Sequence, residues 1–398
     1  MQGPRPWIAF AIVLVALPLL LPGGHAISLL SLAGTSAIVA LSYNLLLGQA
    51  GMLSFGHAVY AGLGAYAAIH LLARIGQGLW FPVALLPLAG GLAGMAAALV
   101  LGWLNTRRGG LAFAMISLAL GELVATGSQM LPGWFGGEGG ISANRAAGPA
   151  LLGLTFGPAI QVYWLIAAWL FLSALAMHAF TRTPLGAIAS AVRDNEQRAR
   201  FIGYDPRGVR WMVMVAAGFF AGIGGALSAL NFEIVTAESL GSAQSGAILM
   251  AVFIGGTRHF FGPVLGAAVY VLMVGVVGGA SKAWLLYLGL LFMLTVLHAP
   301  QGLAGLLHAN LRRLRAGPGT GLLRAGLLLA AAVLPLAAGV VGLVESAYAL
   351  AQDGGVPALA WITGLVLAAA GGLGLRPALR RWREQAGLCD ARLAEAAR

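Results

Sequence analysis

Twelve long apolar stretches separated by short polar breaks occupy most of this chain, at about 7–22, 27–47, 57–74, 81–104, 111–131, 160–181, 211–231, 240–257, 262–280, 283–299, 322–344 and 357–375. Runs near 20 residues with few or no charges have the length a helix needs to cross a hydrocarbon core of about 30 Å. Inside lipid every backbone polar group must be satisfied within the segment or a closed barrel. The pattern therefore predicts an all-α, polytopic helical integral membrane protein. The first stretch, with Arg5 before it and Gly24-His25-Ala26 after it, has the outline of a secretion signal. Pro18 and Pro22 sit poorly before a cleavage site, so it reads as an uncleaved span.

Three breaks in the apolar pattern stand out. The first, GQAGMLSFGH at 48–57, puts Gly48, Gln49, Gly51, Ser54, Gly56 and His57 where hydrophobic sequence would otherwise continue. Non-helical backbone at membrane depth survives only when buried in protein or beside a watery cavity. The segment is either a broken element next to a pathway or an ordinary tight turn at the membrane surface. The second, at 132–159, is rich in Gly and Pro and predicts a cover over one face. The third, Arg182 to Arg210, carries six arginines together with Asp194, Glu196 and Asp205. Pro184 and Gly186 end the span before it, Ala187 to Phe201 predicts a short helix, Gly203 stops that helix, and Asp205-Pro206 starts the next.

Composition agrees with the spans and charge orients them. The chain is 60% hydrophobic and 9% charged with 59 glycines, far from the roughly 45–50% apolar and 25% charged residues of soluble domains. Small residues let transmembrane helices approach closely. A net charge of +11 suggests nucleic acid until it is mapped. With a cytoplasmic N-terminus, 20 of the 23 basic residues lie inside and only Arg74, Arg145 and Lys282 lie outside. That asymmetry sets topology and leaves nucleic acid no role. The single cysteine, Cys389, excludes an internal disulfide.

Candidate chemistry is sparse. The only lysine, between Ser281 and Ala283, belongs to no phosphate-binding loop of the G-x-x-x-x-G-K-[ST] type. No His, Cys, Asp or Glu cluster has metal-ligand spacing, so neither a metal nor another cofactor is expected. Glu122 is the one clearly intramembrane acid, a group that in principle packs, gates, contacts solute or relays protons. An ion-gradient-coupled carrier built on Glu122 is one reading. The scarcity of such groups favours the other, a pathway whose helices a separate motor moves, with the 182–210 loop as its handle. Taken alone, that loop reads better as a solvated basic segment that only fixes orientation.

Four regions carry a resemblance that decides between these readings: SYNLLLGQAGMLSFGHAVYAGLGAYAA (42–68), FGGEGGI (135–141), AVRDNEQRARFIGYDP (191–206), and GALSALNFEIVTAESL (225–240) with FGPVLGA (261–267) and LHAPQGLAGLL (297–307). In this order they resemble the permease subunits of bacterial ABC importers for branched-chain amino acids, over about 30–308 of the chain. The resemblance implies about ten family-like spans in the cell inner membrane, in a permease domain over 1–310. It implies a second, similar permease subunit, two cytoplasmic ATPase subunits that bind the ATP, and an external solute-binding protein. By position Asp194, Asn195, Glu196, Arg200 and Gly203 would meet the ATPase. The pathway would draw on Gly48, Gln49, Gly51, Ser54, Gly56, His57, Glu122, Gly137 and Glu138. The solutes expected are hydrophobic amino acids or related small molecules such as amides and urea. Residues 311–398 depart from the family with two further apolar stretches and a basic tail, expected to form a structural hairpin.

Overall fold

The computed structural model describes residues 5–148, 155–315, 320–353 and 358–395. Part of the expected outer cover, 149–154, and the last residues of the basic tail lie outside them. In chain order the helices are α1 (Arg5–Leu20), α2 (Gly24–Asn44), α3 (Ala58–Gly76), α4 (Leu86–Asn105), α5 (Leu111–Met130), α6 (Pro132–Phe135), α7 (Ala159–Thr181), α8 (Pro184–Asp194) and α9 (Glu196–Phe201). There follow α10 (Pro206–Phe232), α11 (Ser242–Gly255), α12 (Gly262–Leu272), α13 (Gly278–Ala280), α14 (Trp284–His298), α15 (Gly302–Arg315), α16 (Thr320–Asp353) and α17 (Ala358–Glu395).

All twelve predicted stretches are helical, yet they are not twelve equal spans. Among the described residues nine helices are long and apolar enough to cross a membrane, and α14 with α15, bent by 53° at a short break, makes a tenth. The remaining two, α1 with 16 residues and α11 with 14, reach only about 24 and 21 Å at 1.5 Å per residue, short of the core thickness.

Contacts divide the chain into two units, Met1–Gly275 with Phe292–Ala304, and Val276–Leu291 with Gly305–Arg398. In the first, α10 is the central post, packed on α2, α3 and α4. Small residues make this possible: Gly90 and Gly94 of α4 face Gly218 and Gly222 of α10, and a methyl group at Gly222 would run into the Gly90 carbonyl. Backbone-to-backbone approach of this kind is how helices gain packing energy where lipid is as apolar as leucine.

One end of α10 is closed by a cation. The Arg145 guanidinium donates to the carbonyls of Asn231 (3.0 Å), Leu230 (3.3 Å), Phe156 (2.9 Å) and Gly157 (3.0 Å). Its backbone N–H donates to Glu233 Oε1 at 2.8 Å. Positive charge on the last carbonyls of a helix satisfies groups that have no partner within it. Beside it β1 (Ile141–Ser142) pairs antiparallel with β2 (Ile234–Val235). In the second unit α16 and α17 run antiparallel, with Gly339 against Ala368 and Gly371 against Leu336.

Candidate functional site

The arginine-rich loop folds into two helices where one was expected, because Asn195 breaks it. Its backbone is extended (φ −157°, ψ 102°), and its side chain accepts from the Arg198 N–H at 2.9 Å, starting α9 as a new helix. Thr183 caps α8 through the Gly186 N–H, with Pro184 in the first turn, and Asp205 caps α10 through the Arg207 and Gly208 N–H groups. Each cap satisfies an N–H that the helix leaves free. As expected Gly203 stops α9: its φ is +92°, and the Tyr204 N–H closes onto the Ala199 carbonyl at 3.1 Å. Gly186, Ala189, Val192 and Ala199 are buried, whereas Asp194, Asn195, Arg198 and Arg200 are exposed. Phe201, Ile202 and Tyr204 also face outward, with Phe201 90% exposed.

Glu196 ties this pair of helices to the post. Its Oε1 accepts from Arg200 Nη2 at 2.5 Å and its Oε2 from Arg210 Nη2 at 2.6 Å. The Arg210 side chain is only 10% exposed and Glu196 34%. The hydrogen bond from Arg210, with the charges of Arg210 and Arg200, holds the Glu196 carboxyl below the usual carboxylate range against the opposing effect of partial burial. Arg210 drew no attention in the sequence because six arginines in one loop look alike. Its place on the first turn of α10, facing α9, distinguishes it.

The 48–57 break is a return segment folded back along α2 and no tight turn. Past Asn44 the helix α2 widens into a π-helical turn, Leu45–Gln49, a distortion common at functional sites. There the Arg193 guanidinium of α8 donates to the Gly48 carbonyl, and the Ser190 hydroxyl donates to Gln49 Oε1 at 3.0 Å. Gly51 reverses the chain with φ +67°, and a Cβ there would lie 2.6 Å from Arg193 Cγ. The backbone then climbs beside α2, where the Tyr43 hydroxyl donates to the Ser54 carbonyl (2.9 Å) and accepts the Ser54 N–H (3.1 Å). The seven residue-to-residue steps from Ser42 to Gln49 correspond to a climb of about 10 Å.

Hydroxyl groups receive the amides this segment leaves free. Ser117 of α5 accepts the Phe55 N–H and Ser245 of α11 accepts the Ala58 N–H, each at 3.0 Å. His57 Nε2 lies 2.9 Å from Ser42 Oγ. Ser54 and His57 are fully buried, and any side chain at Gly56 would strike the Ser117 carbonyl. Gly48 and Gln49 instead line a polar cavity of about 650 Å³ with Arg193, Asp194, Thr257 and Arg258. The structure thus joins Gly48, Gln49 and Gly51 to the α8 residues, while Ser54, Gly56 and His57 lie inside the packing.

The other predicted residues are elsewhere. Glu122 is on the exposed side of α5, its Oε1 accepting the Ser242 N–H at 3.3 Å in the first turn of α11. An anion at a helix start is a favourable placement. Gly137 (φ +60°) and the exposed Glu138 belong to a 3₁₀ turn after α6. The end of α6 just before that turn is held by Tyr66, midway along α3, whose hydroxyl donates to the Phe135 carbonyl at 3.2 Å.

A bundle of spans with a broken element, and a polar helix pair braced against it from outside the membrane, is the architecture of a transporter's membrane subunit. The profile described as branched-chain amino acid transport system / permease component matches residues 25–299. The high-affinity branched-chain amino acid transport system permease protein LivM of Escherichia coli K12 is 28% identical over 328 residues, 77% of this chain and 76% of its own. LivM of Salmonella typhimurium LT2 is 28% identical over 337 residues, 79% and 77% of the two chains. No solved structure matches. The chain belongs to the family of permease components of branched-chain amino acid transport systems, ABC importers of the inner membrane, and is their multi-pass permease component rather than a catalytic subunit. The comparisons lend no support to an ion-coupled carrier using Glu122.

Proposed function

We propose that this chain carries branched-chain amino acids, or related small solutes such as other hydrophobic amino acids, amides and urea, into the cytoplasm as one half of a permease core. A second, similar permease subunit completes the core, two ATPase subunits seat on its cytoplasmic face, and an external binding protein delivers the solute. The observation that carries the proposal is the exposed end of α9. Phe201, Ile202 and Tyr204 project large apolar side chains beyond a rim of Asp194, Asn195, Arg198 and Arg200 on the side that charge places in the cytoplasm. An apolar centre with a charged rim is the composition of a protein interface.

Behind that surface Glu196 and Arg210 fasten α9 to the central post, and Arg193 and Ser190 fasten α8 to the end of α2. A pull on α8 is passed through Gly48, Gln49 and Gly51 into the buried return segment, Ser54, Gly56 and His57, and so to the start of α3. Glu122, Gly137 and Glu138 contribute to the external half of the pathway, where the binding protein releases its load.

The test is reconstitution with the ATPase and binding proteins in liposomes. F201E is expected to insert normally, to release the ATPase subunits on purification, and to abolish ATP-driven leucine uptake. Uptake by the wild-type chain driven by a proton gradient without ATP would overturn the proposal. So would unchanged ATPase retention and uptake in F201E.

A further inference from the structure

Within the first unit a cavity of about 90 Å³ opens where five helices converge: α2, α3, α10, α11 and α12. It has room for roughly six to nine waters at 10–15 Å³ each, about the bulk of a short amino acid. Its apolar lining includes Val39, Ala61 and Ile248, with Gly224 and Gly225 bringing the α10 backbone to it. Its polar lining is hydroxyl and amide: Thr35, Ser36, Ser228, Ser239, Gln244 and Tyr270. Among the described residues no charged side chain lines it.

The hydrogen bonds single this cavity out. Serines and threonines in these helices generally return their hydroxyl to a carbonyl one turn back, as Ser42 does to Val39, Ser117 to Ala114 and Ser128 to Ala125. Thr35 and Ser239 follow that habit. The side chains of Ser36, Ser228, Gln244 and Tyr270 make no hydrogen bond to any described residue. Ser36, Ser228 and Tyr270 are half-buried and Gln244 is exposed, and polar groups that line a cavity without a protein partner are satisfied by water or a ligand. Four converging on one pocket from α2, α10, α11 and α12 is a built arrangement.

We propose that this cavity is a transit site for the imported solute itself, a small zwitterion with a short aliphatic side chain, whose polar end meets Ser36, Ser228, Gln244 and Tyr270 while its side chain rests on Val39, Ala61 and Ile248. The proposal rests on the importer reading above. The absence of a counter-charge makes the site weak, and passage requires binding favourable enough to enter and loose enough to leave. The site is also coupled to the loop. Ala61, Gly62 and Ala65 of its wall belong to the first two turns of α3, which begins where the return segment ends, and Ser245, the residue after Gln244, holds the first N–H of α3. Movement at Gly48–Gly51 therefore displaces a cavity wall.

The experiment uses the assembled transporter in liposomes with Cys389, the sole native cysteine, replaced by serine. S228C and S36C are expected to react with a small hydrophilic thiol reagent, and leucine delivered by the binding protein with ATP present is expected to slow labelling severalfold. S228A is expected to lower uptake about three- to tenfold, the value of one hydrogen bond. S228F, which overfills the pocket, is expected to lower it tenfold or more while the ATPase subunits remain bound. Identical labelling with and without leucine at both positions, together with wild-type uptake in S228F, would overturn the site and leave the importer reading standing. Failure of the parent C389S transporter to import any amino acid with ATP would overturn both.

Discussion

At the residue scale the site turns on Glu196. Its carboxylate joins an exposed arginine of its own helix to the buried Arg210 of the next. A hydrogen bond to a buried charged group, discounted for the solvent that reaches Glu196, is worth roughly 1–2 kcal/mol. The sign of its pH dependence follows from the lowered pKa. The clamp contributes fully above the ordinary carboxylate value and is lost as the pH falls through the lower folded value. Hydrogen exchange over 196–204 is therefore expected to run about tenfold faster in E196Q than in wild type at neutral pH. The difference should vanish once the medium is acidic enough to protonate Glu196. Equal exchange of the two proteins at neutral pH would show that the clamp does not hold the helix pair.

Side chains of this kind were only half legible in the sequence. Gly203 was evident because a helix-stopping glycine has a local signature, whereas Glu196 was named only as one of the loop's charges and through the resemblance. Arg210 and the exposed Phe201-Ile202-Tyr204 run were not evident, since partnership and exposure depend on where α10 begins in space. Ser36 and Ser228 were invisible for a further reason: a hydroxyl in an apolar helix has the same sequence signature whether it bonds its own backbone or faces a cavity.

At the element scale the decisive feature is the broken span. Its glycines announced irregular backbone, but both a surface turn and a re-entrant segment are compatible with GQAGMLSFGH. The partners that choose between them, Tyr43, Ser117 and Ser245, lie 11, 62 and 187 positions away. Because Arg193 contacts both the Gly48 carbonyl and the space above Gly51, R193A and G51A damage one contact. Alanine at Gly51 would also be held at positive φ, a cost of about 1–2 kcal/mol. Each single variant is expected to lower leucine imported per ATP hydrolysed about tenfold, while the double variant falls little further, since changes to a shared contact are not additive. Losses that multiply in the double variant would mean the two residues act separately, and the α8-to-α2 link would then not transmit the motor's movement.

At the scale of the whole molecule the second unit is held by side-chain ties of its own, and these govern what the C-terminal helices do. The twelve apolar stretches were readable from the sequence because length and hydropathy are local; the division of labour among them was not. In the second unit the Glu345 carboxylate accepts from the Tyr287 hydroxyl at 2.8 Å and from the Ser281 hydroxyl, fastening α16 to the start of α14. Arg313 of α15 forks onto both Asp390 oxygens of α17 at 2.9 and 2.8 Å, with Trp382 beneath it. The Glu345 cluster and the Arg313 fork thus tie the extra hairpin to helices of the second unit at two levels, the contacts a structural hairpin needs. Hydrogen bonds between membrane helices are worth about 0.6–2 kcal/mol each, so E345A and R313A are each expected to lower the thermal transition of the purified protein by several degrees. Uptake per inserted molecule and exchange protection over 196–204 are expected to stay at wild-type levels in both. A variant that melts normally yet imports poorly would reverse this assignment and make the hairpin part of the transport machinery.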